Sequence, residues 1–199
     1  MNLRNRYLMK TTILFITLAF ISSRTLAAGC PTGPAPTTYG TNNVWIGYVF
    51  DGTSFNTYSG TINEGNASSP NFDEGFGGSN TNFNTIEGCA VQTETFSVRY
   101  KLTQSFADAD YTVVVGADDG YRLSVDGGAN WIINNWNLQS YTTTTQTIHL
   151  NGATNLVLEY YENSGDNRVS FNITKTCSGS GDPSAYGTNN QWIGYVYSG

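Results

Sequence analysis

Residues 113–127 read Val-Val-Val-Gly-Ala-Asp-Asp-Gly-Tyr-Arg-Leu-Ser-Val-Asp-Gly, and this stretch decides the fold. The β-branched and aromatic run at 111–115 is typical of a strand. After the acidic pair, Tyr121, Leu123 and Val125 alternate with polar residues, which predicts a half-buried second strand. The two strands are therefore predicted to meet in a tight turn that holds Asp118 and Asp119 on a rigid scaffold, where a hard cation can bind.

The chain beyond this stretch has the same strand-rich character. After residue 28 no segment has apolar residues at helical spacing, whereas short runs rich in Val, Ile, Tyr, Phe and Thr recur between Gly, Asn and Asp clusters. This pattern predicts an all-β chain, folded as an antiparallel β-sandwich or jelly-roll barrel. The predicted strands are 44–50, 93–102, 111–117, 121–125, 131–134, 142–150, 155–162 and 169–174. Residues 56–87, rich in Gly, Asn and Ser, are predicted to be a long surface connection pinned by its phenylalanines.

The first 28 residues are typical of a secretory signal peptide. Basic residues precede an apolar run at 13–21, and the segment ends in Leu-Ala-Ala. The run is too short to span a membrane, so we expect a secreted or cell-surface protein with no membrane insertion after signal removal. Without this segment the chain has five basic and fifteen acidic residues, a net charge of −10. That charge, with no Lys/Arg cluster along the sequence, argues against nucleic acid as a partner.

A twelve-residue segment occurs twice in the chain. Residues 39–50 read Tyr-Gly-Thr-Asn-Asn-Val-Trp-Ile-Gly-Tyr-Val-Phe, and residues 186–197 read Tyr-Gly-Thr-Asn-Asn-Gln-Trp-Ile-Gly-Tyr-Val-Tyr, 147 positions later. Cys30 and Cys177 have the same offset. The repeat predicts a β-domain over 30–176, a linker over 177–185, and the start of a truncated second copy over 186–199. We therefore expect further domains of the same longer chain.

The three cysteines predict one disulfide and one cysteine with a partner elsewhere. The repeat favours a bond between Cys30 and Cys89, with the partner of Cys177 beyond Gly199; a bond between Cys89 and Cys177 is the alternative. The context of Cys30 also resembles a bacterial lipoprotein signal. Since Cys177 has the equivalent place in the second copy, where no lipid could be attached, the structural role of Cys30 is favoured.

Three segments carry a resemblance to a known family. They are Ala-Asp-Asp-Gly-Tyr-Arg-Leu-Ser-Val-Asp-Gly at 117–127, Trp-Ile-Ile-Asn-Asn-Trp at 131–136, and Leu-Val-Leu-Glu-Tyr-Tyr-Glu-Asn at 156–163. In order and spacing they resemble the PA-fourteen domain family, named after the anthrax protective antigen, over about residues 39–174. The resemblance implies a β-barrel or sandwich of the kind found in adhesins, toxins and accessory domains of glycosidases.

The resemblance also implies a site. In flocculin-type adhesins of that family the paired aspartates, joined by a cis peptide, bind calcium, and the calcium contacts vicinal sugar hydroxyls. Asp118 and Asp119 match that pair, and Asn163 or Asp166 could supply the further loop ligand. The chemistry agrees, because Ca²⁺ accepts six to eight oxygen ligands and neutralises neighbouring carboxylates. A purely structural role is the alternative, since Asp in an Asp-Gly turn often only accepts hydrogen bonds from nearby N–H groups.

Other polar and aromatic residues carry less information. Trp131, with Trp136 and Tyr141, could form a sugar-stacking platform, but large aromatic residues in strands are more often core. His149, the single histidine, has no metal-ligand partner or catalytic motif near it in the sequence.

The sequence therefore predicts a non-enzymatic, carbohydrate-binding, adhesin- or lectin-like module in a tandem-repeat protein. Its cofactor is calcium, and its partners are glycans of a cell surface or an extracellular polysaccharide. No catalytic constellation stands out from the turns. The alternatives are a structural spacer or stalk domain of an adhesin, and an accessory domain of a secreted glycosidase.

Overall fold

The computed structural model describes residues 30–31, 33, 35–176, 192–194 and 196. The predicted signal peptide, the linker with Cys177, and most of the predicted second copy lie outside these residues. Of that second copy, Trp192, Ile193 and Val196 have exposed side chains. None of the described residues forms a helix long and apolar enough to cross a membrane.

The described residues form ten β-strands. They are β1 (Trp45–Asp51), β2 (Thr57–Glu64), β3 (Phe72–Glu74), β4 (Asn82–Asn84), β5 (Ala90–Gln92), β6 (Phe96–Asp118), β7 (Gly120–Ser124), β8 (Ile133–Asn135), β9 (Thr142–Glu162) and β10 (Arg168–Lys175). Every pairing between these strands is antiparallel. The predicted all-β class is confirmed.

Two long strands organise the sandwich. β6 and β9 pair along almost their whole lengths, with a register shift between Phe106 and Ala109. The first half of β6 and the second half of β9 belong to one layer, in the order β2-β1-β6-β9-β7-β8. The second half of β6 pairs with β10, and β10 pairs with β3, which gives the other layer. The antiparallel pair of β6 and β9, here called the β6–β9 ribbon, thus contributes to both layers.

The two layers meet in one aromatic and aliphatic core. Trp45 of β1 packs edge-on against Phe171 of β10, with ring centroids 4.9 Å apart. Phe72 of β3 lies 5.2 Å from the ring of Tyr100 of β6. Each strand buries one face because successive side chains alternate between the two sides of a sheet. The core therefore fixes the register, since a one-residue slip would expose its large side chains.

The structure corrects two sequence-based assignments of elements. Residues 56–87 are not a plain connection, because they contain β2, β3 and β4. Of the phenylalanines expected to pack there, Phe76 is 5% exposed, and Phe72 and Phe83 pack against the core. The strands predicted at 93–102 and 111–117 are parts of the single strand β6, and those at 142–150 and 155–162 are parts of β9.

A disulfide between Cys30 and Cys89 ties the start of the domain to the residue before β5. Cys89 is buried, at 1% exposure. The bond spans 59 residues of sequence. It therefore restrains the segment that carries β2, β3 and β4.

Candidate metal centre and ligand site

The acidic pair lies where the chain passes between the two layers. Asp118 is the last residue of β6 and Asp119 separates it from β7, which begins at Gly120. The peptide bond between the two aspartates is cis. Asp118 belongs to the β10 side of the sandwich, whereas Gly120 pairs with Tyr161 in the other layer. The turn expected from the sequence is therefore a crossover between layers.

A third carboxylate joins the pair. Glu162 is the last residue of β9, and the Gly120–Tyr161 pairing brings it next to Asp119. One ligand atom from each of Asp118, Asp119 and Glu162 lies within 4.8 Å of the other two. Two of these side chains are buried, with Asp119 at 6% and Glu162 at 0% exposure.

Backbone N–H groups fix the two aspartates. The N–H of Gln139 donates to Oδ1 of Asp119 at 2.8 Å, and the N–H of Asn163 donates to its Oδ2 at 2.9 Å. The N–H of Tyr141 donates to Oδ2 of Asp118 at 3.1 Å. An ionised carboxylate offers about four lone-pair sites, so each group retains acceptor capacity for a cation.

Glu162 is the least satisfied member of the cluster. The Tyr160 hydroxyl lies 3.2 Å from Oε2 of Glu162, but it also donates to the carbonyl of Asp118 at 2.8 Å. Oε1 of Glu162 is buried with no hydrogen-bond partner among the described residues. A buried carboxylate oxygen without a partner is costly, and a bound cation would remove that cost.

The electrostatics of the cluster point the same way. Burial, followed by the charges of Asp119 and Asp118, raises the pKa of Glu162 to about 8. Burial and then the charge of Asp119 raise the pKa of Asp118. Three carboxylates in such proximity cannot all ionise cheaply unless a cation balances them. The donor set consists of oxygen atoms alone, which suits Ca²⁺ better than a metal that prefers nitrogen or sulfur.

The loop residues expected to complete the site are placed differently. The backbone of Asn163 contacts Asp119, but its side chain is exposed. Asp166 is exposed as well, and its charge contributes to the raised pKa of Asp118. Neither belongs to the group of three carboxylates, whereas Glu162 does. An acidic residue at the end of the predicted strand 155–162 was the available signal for Glu162.

The three aromatic residues considered as a sugar platform do not form one surface. The Arg122 guanidinium stacks 4.2 Å from the ring of Trp131 and 4.7 Å from that of Trp136. Tyr141 instead stacks with the Arg168 guanidinium at 4.1 Å. Of the three, Trp136 also contacts an aromatic residue next to the acidic cluster, with its ring centroid 4.6 Å from that of Tyr161.

His149 lies away from the acidic cluster, on the exposed part of the β6–β9 ribbon. Its Nε2 is 2.9 Å from Asp108 and its Nδ1 is 3.0 Å from Asp110. The hydrogen bond to Asp110, followed by the charge of Asp108, raises the pKa of the imidazole. These are ordinary surface ion pairs, which contribute little to stability.

Comparison with known proteins identifies the architecture. No known family model matches the sequence. No curated protein matches it either. Among solved structures, the PA14 domain of the antifreeze protein MpAFP is similar, with a TM-score of 0.56 and 15% identity over 75% of this chain and 90% of that one.

Two further solved structures are similar to this chain. An anti-sigma factor domain-containing protein has a TM-score of 0.54 and 21% identity over 71% of this chain and 44% of that one. A protein of the same description from Clostridium clariflavum has a TM-score of 0.51 and 20% identity over 73% and 49%. The chain thus spans less than half the length of these two proteins. The predicted PA-fourteen-like fold is confirmed.

Proposed function

We propose that the chain is a calcium-dependent carbohydrate-binding module of a secreted or surface-displayed, adhesin-like protein. The observation that carries the proposal is the convergence of Asp118, Asp119 and Glu162, with a buried oxygen of Glu162 unpartnered among the described residues. In this proposal the three carboxylates hold Ca²⁺, and the exposed edge of the ion binds two hydroxyls of a sugar. The sugar part rests on the resemblance to flocculin-type adhesins.

The surroundings of the cluster suit such a ligand. The Asp118 side chain is partly exposed, so the ion would keep an open side. Asn163 and Asp166 present exposed polar side chains from the loop after β9, where they could contact a sugar or complete the coordination. Leu138 precedes Gln139, whose backbone N–H donates to Asp119, and its side chain is 67% exposed. It therefore offers an apolar surface to a ligand beside the cluster.

The predicted signal peptide and the disulfide support an extracellular location, because disulfides persist in oxidising compartments. The sequence repeat supports an array of such domains, in which multivalency would strengthen weak binding at each site.

Calcium binding is tested first by calorimetric titration of the purified protein, because it does not require the sugar to be known. We expect one Ca²⁺ per chain, and no detectable binding in the Asp118→Asn and Glu162→Gln variants. Asp51→Asn is the matched control, since Asp51 is an exposed carboxylate at the end of β1. Binding that survives both cluster variants would place the ion elsewhere and refute the assignment.

The sugar is tested second, on a glycan array with calcium and with EDTA. Binding of a defined glycan only with calcium, and its loss in Asp118→Asn, is the expected result. Calcium binding without any glycan binding would favour the second candidate function, a structural spacer or stalk domain. One backbone N–H bond to each oxygen of Asp119 supports a structural role for this turn in that candidate.

A further inference from the structure

A row of charged side chains crosses the outer face of the larger layer. Arg99 of β6 pairs in register with Glu159 of β9, and Glu159 pairs in register with Arg122 of β7. Nε of Arg99 lies 2.5 Å from Oε1 of Glu159, and Nε of Arg122 lies 2.6 Å from its Oε2. The Glu159 side chain is 3% exposed, so the two guanidiniums lie between its carboxylate and the solvent.

A cleft of about 390 Å³ opens over this row. Its volume lies in the range of small-ligand sites. The lining residues are Arg99, Lys101, Arg122, Gly127, Gly128, Trp131, Val157 and Glu159. The glycines leave their part of the wall without side chains.

The charges in the cleft do not balance. Three cations line it and Glu159 is its single carboxylate, so the lining carries a net charge of +2, although the whole chain carries −6. Three of the five basic residues after residue 28 lie here, although the sequence shows no cluster of them. Of the three cations in the cleft, Lys101 is the one that has no ion pair with a described residue. An anion bound in the cleft would neutralise this excess.

Aromatic rings hold the cations in place. The Arg99 guanidinium lies 4.6 Å from the ring centroid of Phe55, and Lys101 Nζ lies 5.2 Å from that of Tyr39. The Arg122 guanidinium contacts the rings of both Trp131 and Trp136. Side chains fixed by stacking and by Glu159 lose little freedom when a ligand binds, which favours affinity.

We propose that this cleft binds the carboxylate of an acidic sugar. A carboxylate accepts paired hydrogen bonds from guanidinium and ammonium groups, and the half-buried Trp131 offers an apolar ring surface for the sugar. The cleft is small and the chain is acidic, so one or two anionic groups fit it better than a long polyanion such as nucleic acid. The site needs no metal, and its lining shares no residue with the carboxylate cluster.

The test is calorimetry of the purified protein with tri-galacturonate at low ionic strength, in EDTA so that no calcium bridges the ligand. The fully methyl-esterified trisaccharide is the neutral control, and sodium sulfate is the free-anion control. We expect binding of the acid, with much weaker binding of the ester and of sulfate. We also expect added salt to weaken the binding of tri-galacturonate, since salt screens the attraction between exposed charges.

Two variants locate the site. Lys101→Gln leaves the pair of arginines with Glu159 intact and should weaken tri-galacturonate binding by roughly tenfold or more, because it removes a charged hydrogen-bond donor. Trp131→Ala should weaken trisaccharide binding but not the residual binding of sulfate. Lys175→Gln removes the same charge from the exposed end of β10 and should bind as the parent does. Thermal unfolding of each variant checks that it is folded.

Several results would overturn the proposal. One is the absence of binding to the parent protein; another is equal binding of the acid and its ester. Equal losses in Lys101→Gln and Lys175→Gln would show non-specific charge attraction. Binding of the acid only when calcium is present would assign it to the carboxylate cluster instead.

Discussion

Replacing Glu162 with glutamine removes the charge of the buried carboxylate while keeping its shape. The variant therefore tests whether this charge is what lowers the unfolding free energy without calcium, and whether Glu162 binds the ion. In the folded protein without a cation, the pKa of Glu162 is raised from 4.5 to about 8. The folded state therefore binds a proton more tightly than the unfolded state between these two values. The unfolding free energy of the metal-free protein must fall as the pH rises through this window.

The size of the effect follows from the same two pKa values. Each pKa unit corresponds to about 1.4 kcal/mol, so the difference between 4.5 and about 8 sets an upper limit of about 5 kcal/mol. The raised pKa of Asp118 acts in the same direction, and the cluster titrates as a coupled group. We expect the metal-free protein to lose roughly 2–4 kcal/mol between pH 5 and pH 8, because these three pH units cover most of the interval between the two pKa values.

The assay is urea unfolding at several pH values in EDTA and in calcium, for the parent protein and the Glu162→Gln variant. In EDTA the variant should show a much flatter pH dependence and should be the more stable protein at pH 8. In calcium the parent should regain stability, by about 2.7 kcal/mol at a free concentration one hundred times the dissociation constant. The variant should regain little of it.

Two outcomes would refute this reasoning. One is a pH dependence in EDTA that is the same for the parent and for Glu162→Gln, because the buried carboxylate would then not be the source of the loss. The other is an equal gain in calcium for both proteins, because Glu162 would then not bind the ion. Asp51→Asn again serves as the control, and it should unfold as the parent does.

Three further predictions concern the scaffold. Cys89→Ser breaks the bond to Cys30 and should lower the unfolding free energy by about 4 kcal/mol, since the closed loop spans 59 residues. Urea unfolding with and without reductant checks this. If reductant destabilised the variant as much as the parent, the prediction would be wrong. Gly120→Ala would place a methyl group against the ring of Tyr161 and should lower the unfolding free energy by about 1–3 kcal/mol, which a shift in urea midpoint measures. Glu159→Gln leaves two guanidiniums without their carboxylate and should destabilise by about 2–4 kcal/mol, with a smaller loss at high salt where the repulsion is screened.

Strand alternation explains which part of the fold was predictable. At 121–125, where apolar and polar residues alternate, the structure has β7 within one residue of the predicted bounds. The merging of two predicted strands into β6 was not predictable, because polar residues such as Gln104 and Ser105 interrupt the apolar pattern while they still pair with β9. Residues 56–87 were misassigned because β3 and β4 have only three residues each, and because β2 consists mostly of polar residues and shows no apolar period.

The candidate site was predictable only as far as adjacent residues define it. Asp118 and Asp119 are neighbours in the chain, so the sequence alone brings them together. Glu162 comes from a strand that ends 43 positions after Asp119, and its proximity depends on the pairing of β7 with β9. That pairing is a property of the whole sheet, since the register is set by which side chains the core accepts on the opposite face.

The same dependence on register explains the charged row over the cleft. On β6 the core accepts Val98 and Tyr100, so Arg99 must face outward; on β9 it accepts Leu158 and Tyr160, so Glu159 must also face outward. Strand alternation predicts each of these orientations from the sequence, but it does not predict that the two residues stand opposite each other. The register that buries the apolar side chains on one face therefore also aligns the cations on the other, and a cationic cleft arises in a chain whose net charge is negative. Net charge describes the long-range field of a protein, whereas the charge of a binding site is set by strand pairing.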